Sequence, residues 1–344
     1  MASNNIVVLQ HDDIFKTLQN HIQLVSAQIN EGTCTREDSV DFNKYTYWNN
    51  VAAIFKVLSM ETTKISLAFS KKPFPSNKNT EALVHELEKT MLALVSIYYT
   101  LPLTQGVTLR CHFKQAVLHV LDHLEKFVAT LSDCFHSKEG DERIQWTGGV
   151  WEAASLELIR DNKECVANKL RERYELVDDA LEELEEACSN EGVEVDTETD
   201  LTPAEPWSEQ DKRVVNSCPG IVKTMKNVLK KAQECVDKHG NVETQDGINT
   251  LDELAALTCD VSSLVDDFVS AIYVPLNYAT FVSNGTVLSD STRSILKFLR
   301  DSNLTTNEDE KWLDILSRAC DHNLDKLKSN SSPATEPATD QNVD

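Results

Sequence analysis

The chain has 344 residues, of which 41% are hydrophobic, and this is enough apolar material for one large folded domain or two of ordinary size. The formal net charge of -23 argues against direct binding to nucleic acid or to an anionic membrane surface. Only 10 residues are glycine, and parallel α/β folds and nucleotide-binding loops use glycine freely, so this scarcity favours an all-helical protein.

The 9 cysteines include no Cys-x-x-Cys pair, and an odd number does not fit a disulfide framework. Residues 1–13 lack the basic segment and the long apolar core of a signal peptide. No apolar run approaches the roughly 20 residues that a membrane span requires. We therefore expect a protein of the cytoplasm and the nucleus that does not contact membranes.

Apolar residues recur at steps of three or four along most of the chain, which predicts amphipathic helices. The first helix is expected from Ile6 to Ile29, with Leu18, Ile22 and Val25 on its apolar face. The second is expected over 41–70. The buried face of the second helix is predicted to comprise Tyr45, Trp48, Ala52, Phe55, Leu58, Thr62, Ile65 and Phe69.

The stretch Val95–Arg110 contains two adjacent tyrosines, a proline and a glycine, which raises the question of a binding or catalytic corner. Pro102 ends a third helix, expected over 77–101, because it disfavours the α conformation of Leu101. Thr104 is then the predicted N-cap of a fourth helix. A connection this short makes the two helices antiparallel neighbours, so we interpret the corner as structural.

Residues Arg143 to Ser189 are expected to form one long helix or two, with a break at Asp161 or Asn162. The later part has a coiled-coil-like seam with an acidic face opposite. The seam comprises Ala167, Leu170, Tyr174, Val177, Leu181, Leu184 and Cys188. One interpretation is the core of the chain's own bundle. The other is a partner-binding surface, for which the candidate residues are Leu170, Tyr174, Val177, Leu181 and Leu184.

Residues 190–206 are acidic, poor in apolar side chains and closed by two prolines, which predicts a disordered linker. The helix that follows is expected to kink or divide near Cys218-Pro219-Gly220. Residues from Leu251 to Ile272 are expected to form one further helix. Thr305-Thr-Asn-Glu308 predicts a capping box that opens the last helix, and a disordered tail is expected from Ser329.

These patterns predict an all-α protein of two antiparallel helical bundles joined by an acidic linker. The N-terminal bundle is assigned to 1–189 and the C-terminal bundle to 207–328. Residues 190–206 form the linker and 329–344 the tail. The break near Asp161 is an alternative domain boundary.

The strongest indication of catalysis is His119-Val-Leu-Asp122-His123, which resembles the His-x-x-Glu-His pattern of some zinc proteases. Aspartate replaces glutamate here, and the histidines are expected on the solvent side of their helix, so no metal site is predicted. The chain contains no Gly-x-Ser-x-Gly elbow, phosphate-binding loop or dinucleotide fingerprint. We therefore predict a non-enzyme without cofactors.

Thr202 and Ser332 each precede a proline in the segments that are predicted to be disordered. An extended, accessible segment suits a kinase, so both residues are candidate phosphorylation sites. A phosphate at either residue would add negative charge to a chain that is already acidic.

Several fragments occur in a distinctive order. They are Asp41-Phe-Asn-Lys-Tyr-Thr-Tyr-Trp48, Phe69-Ser-Lys-Lys-Pro-Phe-Pro-Ser76, Ile97-Tyr-Tyr-Thr-Leu-Pro102 with Gln105-Gly-Val-Thr-Leu-Arg110, Arg160-Asp-Asn-Lys163, Asp266-Asp-Phe-Val-Ser-Ala-Ile-Tyr273 and Asp309-Glu-Lys-Trp312. From residue 41 to residue 328 the chain resembles the cyclin-D-binding protein 1 family, also called the cyclin-D-interacting helix-loop-helix proteins. The resemblance implies an all-helical adaptor that binds D-type cyclins and helix-loop-helix transcription factors. It also implies negative regulation of cell-cycle progression by sequestration of those partners.

An alternative function is that of a helical-bundle scaffold in the style of vinculin or talin rod modules, which binds partner helices by opening a bundle. Long amphipathic helices joined by short corners fit both functions equally. The family resemblance favours the adaptor. It assigns no individual residue of this chain to a partner contact.

Overall fold

A computed structural model describes residues 2–32, 42–133, 142–190, 207–273 and 275–332, with side chains from His11 onward. The described residues contain twelve α-helices and two short 3-10 turns, and no β-strand occurs among them. The chain forms two compact units, Met1–Asn162 and Lys163–Asp344. The predicted all-α fold is confirmed.

The two units divide at the alternative boundary near Asp161 rather than after residue 189. The physical reason is that the apolar seam of the helix at 162–189 packs into the core of the second unit. Residues 191–206, which include most of the predicted linker and Thr202, lie outside the described residues, as do 333–344.

The first unit is a bundle of five helices: α1 (Ala2–Glu31), α2 (Lys44–Ala68), α3 (Asn77–Tyr99), α4 (Val107–Asp133) and α5 (Glu142–Ser155). Helix α1 packs against α3 and α4, α2 packs against α3 and α5, and α4 packs against α5. Each helix therefore has two principal neighbours. Large side chains that are fully buried in this unit include Phe15, Leu18, Ile22, Ile29, Leu58, Ile65, Leu87, Met91, Phe113 and Phe127.

The predicted buried face is confirmed for α1 but is partly wrong for α2. Tyr45 and Ala52 are exposed, and the neighbouring Tyr47 and Val51 are buried in their place. The hydroxyl of Tyr47 donates to the carbonyl of Ile97 at 3.1 Å. The Tyr47 ring also packs edge-on against the ring of Trp48, with ring centroids 5.1 Å apart. This hydrogen bond gives Tyr47 a polar partner inside the bundle, so Tyr47 rather than Tyr45 faces the core.

The predicted N-cap at Thr104 is wrong, because Thr104 lies in a 3-10 turn at Leu103–Gln105 and α4 begins at Val107. Gly106, between the turn and the helix, has a φ of 114°. The side-chain oxygen of Asn162 instead accepts a hydrogen bond from the Leu109 amide at 3.0 Å. A residue distant in sequence therefore satisfies one of the open amides at the start of α4.

The rest of the Val95–Arg110 corner also makes contacts within the bundle. The guanidinium of Arg110 donates to the carbonyl of Leu101 and lies 5.0 Å above the ring of Tyr98. Burial raises the pKa of Tyr98, while the Arg110 charge acts in the opposite direction. These contacts hold α3 and α4 together, in agreement with the structural interpretation of the corner.

The second unit contains seven helices: α6 (Asn162–Ser189), α7 (Glu209–Val215), α8 (Cys218–His239), α9 (Gln245–Leu257), α10 (Val261–Val269), α11 (Tyr278–Asp301) and α12 (Glu310–Ser331). Helix α11 packs against α8, α10 and α12, and α12 also packs against α7 and α8. One apolar core joins residues from all seven helices, including Leu170 of α6, Val228 of α8 and Phe281 of α11.

Two helix boundaries of the second unit test the sequence predictions. The division near Cys218-Pro219-Gly220 is confirmed, because α7 ends at Val215 and α8 begins at Cys218. The single helix expected from Leu251 to Ile272 is wrong. A turn at residues 258–260 separates α9 from α10, and a 3-10 turn follows at Ser270–Ile272. Threonine, cysteine and aspartate occupy residues 258–260, and all three are weak helix formers.

The capping box predicted at Thr305–Glu308 is also wrong. The amide and hydroxyl of Thr306 donate to the carboxylate of Asp309 at 2.9 and 3.1 Å, one residue later, and α12 begins at Glu310. A capping box does occur at the start of α7, between Ser208 and Asp211. Helix α12 continues to Ser331, past the expected start of the tail at Ser329.

Replacement of Gly106 by alanine should destabilise the first unit. A Cβ atom at this position would overlap the side chain of Asn162, and the φ of 114° is unfavourable for alanine. We expect Gly106→Ala to lower the free energy of unfolding by about 2–4 kcal/mol, measured by urea titration with circular dichroism. The matched control is Gly148→Ala on α5, where a Cβ atom would meet no atom within 4 Å. This control should raise stability by about 0.5–1 kcal/mol, and equal effects of the two changes would contradict the explanation.

Asp309 should make the stability of the second unit depend on pH. Hydrogen bonds from the Trp312 indole and from Thr306 lower the pKa of Asp309 below 3.8. The carboxylate is favoured in the folded state, so its contribution is complete above the ordinary aspartate pKa and is lost as pH falls through the lowered value.

Asp309→Asn should therefore lower the free energy of unfolding by about 1 kcal/mol at neutral pH, after allowance for partial exposure. The difference from the wild type should shrink as pH is lowered from about 7 to about 3 in urea titrations. Glu308→Gln, one residue earlier, is the matched control and should leave stability unchanged. A larger effect of Glu308→Gln would restore the capping box predicted from sequence.

Candidate functional site

The structure places the candidate partner-binding residues of α6 inside the second unit. Leu170, Val177, Leu181 and Leu184 are buried in its core, and Tyr174 is half-buried against the same core. A partner could reach the four buried side chains only if α6 separated from the other helices of this unit. The interpretation of the seam as core therefore describes this conformation, and the partner-binding interpretation stays a prediction.

The opposite face of α6 is acidic and open to solvent. Asp178 and Glu185 form ion pairs with Lys226 and Lys223 of α8. The hydrogen bond that Lys226 donates to the Asp178 carboxylate raises the pKa of Lys226. The remaining carboxylates on this face belong to Asp179, Glu182, Glu183 and Glu186, which are exposed. The Lys223–Glu185 pair is largely exposed and contributes little to stability, whereas the Lys226–Asp178 pair is partly buried between α6 and α8. The exposed carboxylates mainly give the unit its negative charge.

The side chains of His119, Asp122 and His123 each have a partner on α4 itself. The rings of His119 and His123 have centroids 4.4 Å apart, and Nδ1 of His123 lies 3.0 Å from the carbonyl oxygen of His119. The Asp122 carboxylate accepts a hydrogen bond from Lys126 at 2.7 Å. No group of three or more metal-ligating side chains occurs among the described residues.

The buried thiols of the second unit are poorly placed to act as nucleophiles. Burial raises the pKa of Cys235 to about 11 and raises that of Cys218 well above its ordinary value. A raised pKa disfavours the reactive thiolate.

Among the helices that the structure describes, none combines the length and the apolar character that a membrane span requires.

Of the two candidate phosphorylation sites, Ser332 belongs to the residues that the structure describes. Thr202 lies outside the described residues. Ser332 is exposed directly after α12, and its hydroxyl donates to the carbonyl of Lys328 at 3.1 Å. Its following proline is outside the described residues, and phosphorylation at both sites stays a prediction.

The first unit exposes a second apolar row on α2, on the side away from its core. Four of its members are apolar, namely Ala53, Val57, Met60 and Leu67, and Lys64 occupies the fourth position of the row. The steps alternate between four and three residues. Val57 is 41% exposed, Met60 49% and Leu67 67%. Such spacing places the side chains along one line of the helix surface, as in the seam of a coiled coil.

Helix α5 carries an exposed row beside the row on α2. Ile144 and Trp151 are 62% and 48% exposed, and Gly148 lies one turn from each. The indole nitrogen of Trp151 donates to the hydroxyl of Thr63 on α2 at 2.9 Å. The two rows together comprise Ala53, Val57, Met60, Lys64, Leu67, Ile144, Gly148 and Trp151, and we call this surface the α2–α5 face.

Buried hydrogen bonds to Ser66 of α2 determine the position of α5. The guanidinium of Arg143 donates to the carbonyl of Ser66 and, at 2.7 Å, to its hydroxyl. The hydroxyl of Thr147 donates to the Ser66 hydroxyl at 2.8 Å. Arg143 is 4% exposed, and a buried guanidinium requires such partners. These contacts set the register of the two exposed rows.

Sequence reasoning missed the α2–α5 face. The steps between Ala53, Val57, Met60 and Leu67 are visible in the sequence, but they share α2 with a stronger apolar row. The predicted face followed that stronger row alone. A search for a second row on the same helix would have found the α2 part of the surface. The proximity of Trp151 to Thr63 could not have been found in this way, because it depends on the packing of α5 on α2.

Burial of the α6 seam leads to a direct prediction for Leu184. Leu184→Ala removes a buried side chain and leaves a cavity, which should lower the free energy of unfolding by about 2–5 kcal/mol in urea titrations. Leu176→Ala on the same helix is the matched control, because Leu176 is more than half exposed. The control should change stability by less than about 0.5 kcal/mol. Equal small effects of the two changes would show that the seam is not core.

Comparison with known proteins locates the chain in a family. Residues 50–190 match the family model described as Grap2 and cyclin-D-interacting, N-terminal, and residues 176–297 match its C-terminal counterpart. Cyclin-D1-binding protein 1 homolog of Xenopus laevis is 30% identical over 323 residues, which cover 91% of this chain and 97% of that protein. Human Cyclin-D1-binding protein 1 is 26% identical over 90% of this chain and 91% of its own length. The resemblance seen in the sequence fragments is confirmed, and the chain belongs to the Grap2 and cyclin-D-interacting family.

Proposed function

We propose that this chain binds a D-type cyclin and acts as a non-enzymatic adaptor. The observation that carries the proposal is the family match over both halves of the chain, at residues 50–190 and 176–297. Relatives that are named for cyclin D1 binding align with 91% and 90% of this chain. Similarity over this length supports a shared binding function more than similarity of one motif would.

The α2–α5 face is compatible with a protein-binding function. Exposed apolar side chains are ordinary when they are scattered, whereas an ordered row on a helix is typical of a surface that pairs with another protein. The row on α2 and the row on α5 lie side by side, so a partner can contact two helices at once. This observation supports protein binding in general and does not select a cyclin.

We further propose that binding acts by sequestration. A cyclin held by this chain would be withheld from its kinase targets, and cell-cycle progression would slow. Helix-loop-helix transcription factors are a second partner class, because such factors associate through amphipathic helices. The net charge of -23 disfavours contact with DNA phosphates, so a bound factor would be kept from DNA. These partners require the protein to act in the cytoplasm and the nucleus.

The alternative is a scaffold that binds a partner helix by opening a bundle. The α6 seam lies in the core of the second unit, so a partner helix could pair with it only after α6 is released. In that case binding would require partial unfolding of the second unit. Changes that stabilise the unit would then weaken binding instead of leaving it unchanged.

The decisive measurement is binding of the purified full-length chain to a recombinant D-type cyclin at physiological salt, with the cyclin alone and with its kinase partner. We expect saturable binding with a dissociation constant on the order of 1 μM or tighter. Added chain should also reduce kinase activity toward a retinoblastoma fragment. An E-type cyclin at equal concentrations is the control and should bind at least tenfold more weakly. Absence of saturable binding by a fully helical sample would refute the proposal.

A further inference from the structure

We propose that the α2–α5 face is a docking groove for an acidic amphipathic helix of a partner protein. The inference goes beyond the proposed function, because it assigns a surface and a class of ligand and does not require that the partner be a cyclin. Three features of the face carry it: the spacing of its apolar side chains, an unexplained glycine and the charge of α2.

The spacing of the exposed row suits a helix. Ala53, Val57, Met60, Lys64 and Leu67 follow steps of four, three, four and three, which is the repeat that lets side chains of one helix enter the spaces of another. The row covers about 21 Å along α2, at 1.5 Å per residue. A partner helix of four turns can therefore contact the whole row.

Gly148 has no structural explanation within its own unit. At the adjacent Gly149 a Cβ atom would lie 2.6 Å from the ring of His123, so a larger residue there would displace this side chain between α5 and α4. At Gly148 a Cβ atom would meet no atom within 4 Å. Glycine inside a helix costs about 0.5–1 kcal/mol relative to alanine. The stability of the fold therefore favours a larger residue at this position.

A closely approaching partner explains the glycine. Ile144 and Trp151 lie one turn before and after Gly148 and are both exposed. The missing side chain leaves a gap between them on the α5 side of the groove. A leucine or similar side chain of a docked helix can enter this gap and be covered on both flanks by apolar surface. Helix interfaces use small residues in this way where two helices approach closely.

The charge of α2 selects an acidic partner. Lys44, Lys56 and Lys64 are its basic residues, and all three are exposed. Its sole acidic residue, Glu61, is 9% exposed and accepts a hydrogen bond from Lys64 at 2.6 Å. Two further exposed lysines, at 71 and 72, follow the helix. A positive helix is notable in a chain with a net charge of -23.

The positive charge lies on the α2 side of the groove, because α5 contributes exposed carboxylates at Glu142 and Glu152. A partner helix with glutamate or aspartate along the edge that borders α2 would be attracted by Lys56 and Lys64. A basic apolar surface can also attract an anionic membrane. We favour the acidic helix, because the seam spacing matches a helix and the whole chain is repelled by anionic lipid.

The test uses the full-length protein and a designed peptide of three heptads as the probe. The peptide carries leucine at the two seam positions of each heptad and glutamate at the flanking positions, and a matched peptide carries lysine instead of glutamate. Fluorescence anisotropy of the labelled peptides should show saturable binding of the acidic peptide. The basic peptide should bind at least tenfold more weakly, and added salt should weaken binding of the acidic one. Equal binding of the two peptides would overturn the proposal.

Variants of the protein locate the binding site. Leu67→Asp removes an apolar contact and adds a repelling charge, and Gly148→Leu fills the gap on α5. Each should weaken binding of the acidic peptide at least tenfold while helicity is retained. Leu67→Asp should leave thermal unfolding close to that of the wild type, and Gly148→Leu should raise the unfolding temperature slightly, because glycine inside a helix is unfavourable. Leu24→Asp on α1 is the matched control for Leu67→Asp, because both leucines are 67% exposed. It should leave affinity unchanged, and equal effects of the two leucine changes would exclude the α2–α5 face.

A vesicle-binding measurement tests the alternative that the face binds a membrane. Vesicles of phosphatidylcholine with phosphatidylserine should not retain the protein at physiological salt. Retention that is lost in Leu67→Asp would overturn the proposal in favour of a lipid surface. Neither the peptides nor the vesicles contain a cyclin, so failure here leaves the cyclin proposal standing, and the converse also holds.

Discussion

The buried contact between Arg143 and Ser66 is the interaction on which the α2–α5 face depends. The guanidinium lies inside the first unit and donates to the carbonyl and hydroxyl of Ser66. Hydrogen bonds that involve a charged group contribute more than neutral ones, about 1.5–3 kcal/mol each, and a buried guanidinium without its partner would be costly. The register of α5 on α2 is therefore strongly determined. This polar contact, together with apolar packing, therefore places Gly148 and Trp151 beside the exposed row of α2.

Charge is divided unequally along the chain, and this bears on how each unit can act. Residues 1–162 contain 19 acidic and 15 basic side chains, whereas residues 163–344 contain 37 and 18. The second unit therefore holds most of the negative charge, and it buries the coiled-coil-like seam of α6. An apolar seam inside and charged residues outside are typical of an ordinary helical bundle. The first unit is nearly balanced and presents apolar side chains with lysines on α2. A protein-binding function fits the surface of the first unit better than the seam of α6.

Apolar periodicity placed α2 and α6 correctly but did not determine which of their faces are covered. Both helices were predicted from apolar spacing, and both exist. On α2 two apolar rows compete, and Tyr47 rather than Tyr45 faces the core because its hydroxyl has a partner at Ile97. On α6 the seam is as predicted, but periodicity alone does not say which helices cover it. Thr104 failed as an N-cap because Asn162, distant in sequence, accepts the hydrogen bond from Leu109 instead.

The sequence by itself determined the all-α class, most helix positions, the corner at Pro102 and the family. The fold class, the helix positions and the corner follow from apolar periodicity and from proline, which act over a few neighbouring residues. The family follows from short sequence fragments, each of which can be recognised without knowledge of the fold. Only the tertiary structure decided that α6 belongs to the second unit, that its seam is covered, and that α5 lies beside the exposed row of α2. These depend on which surfaces meet, and helix contacts are chosen by the combined packing of side chains that are distant in sequence.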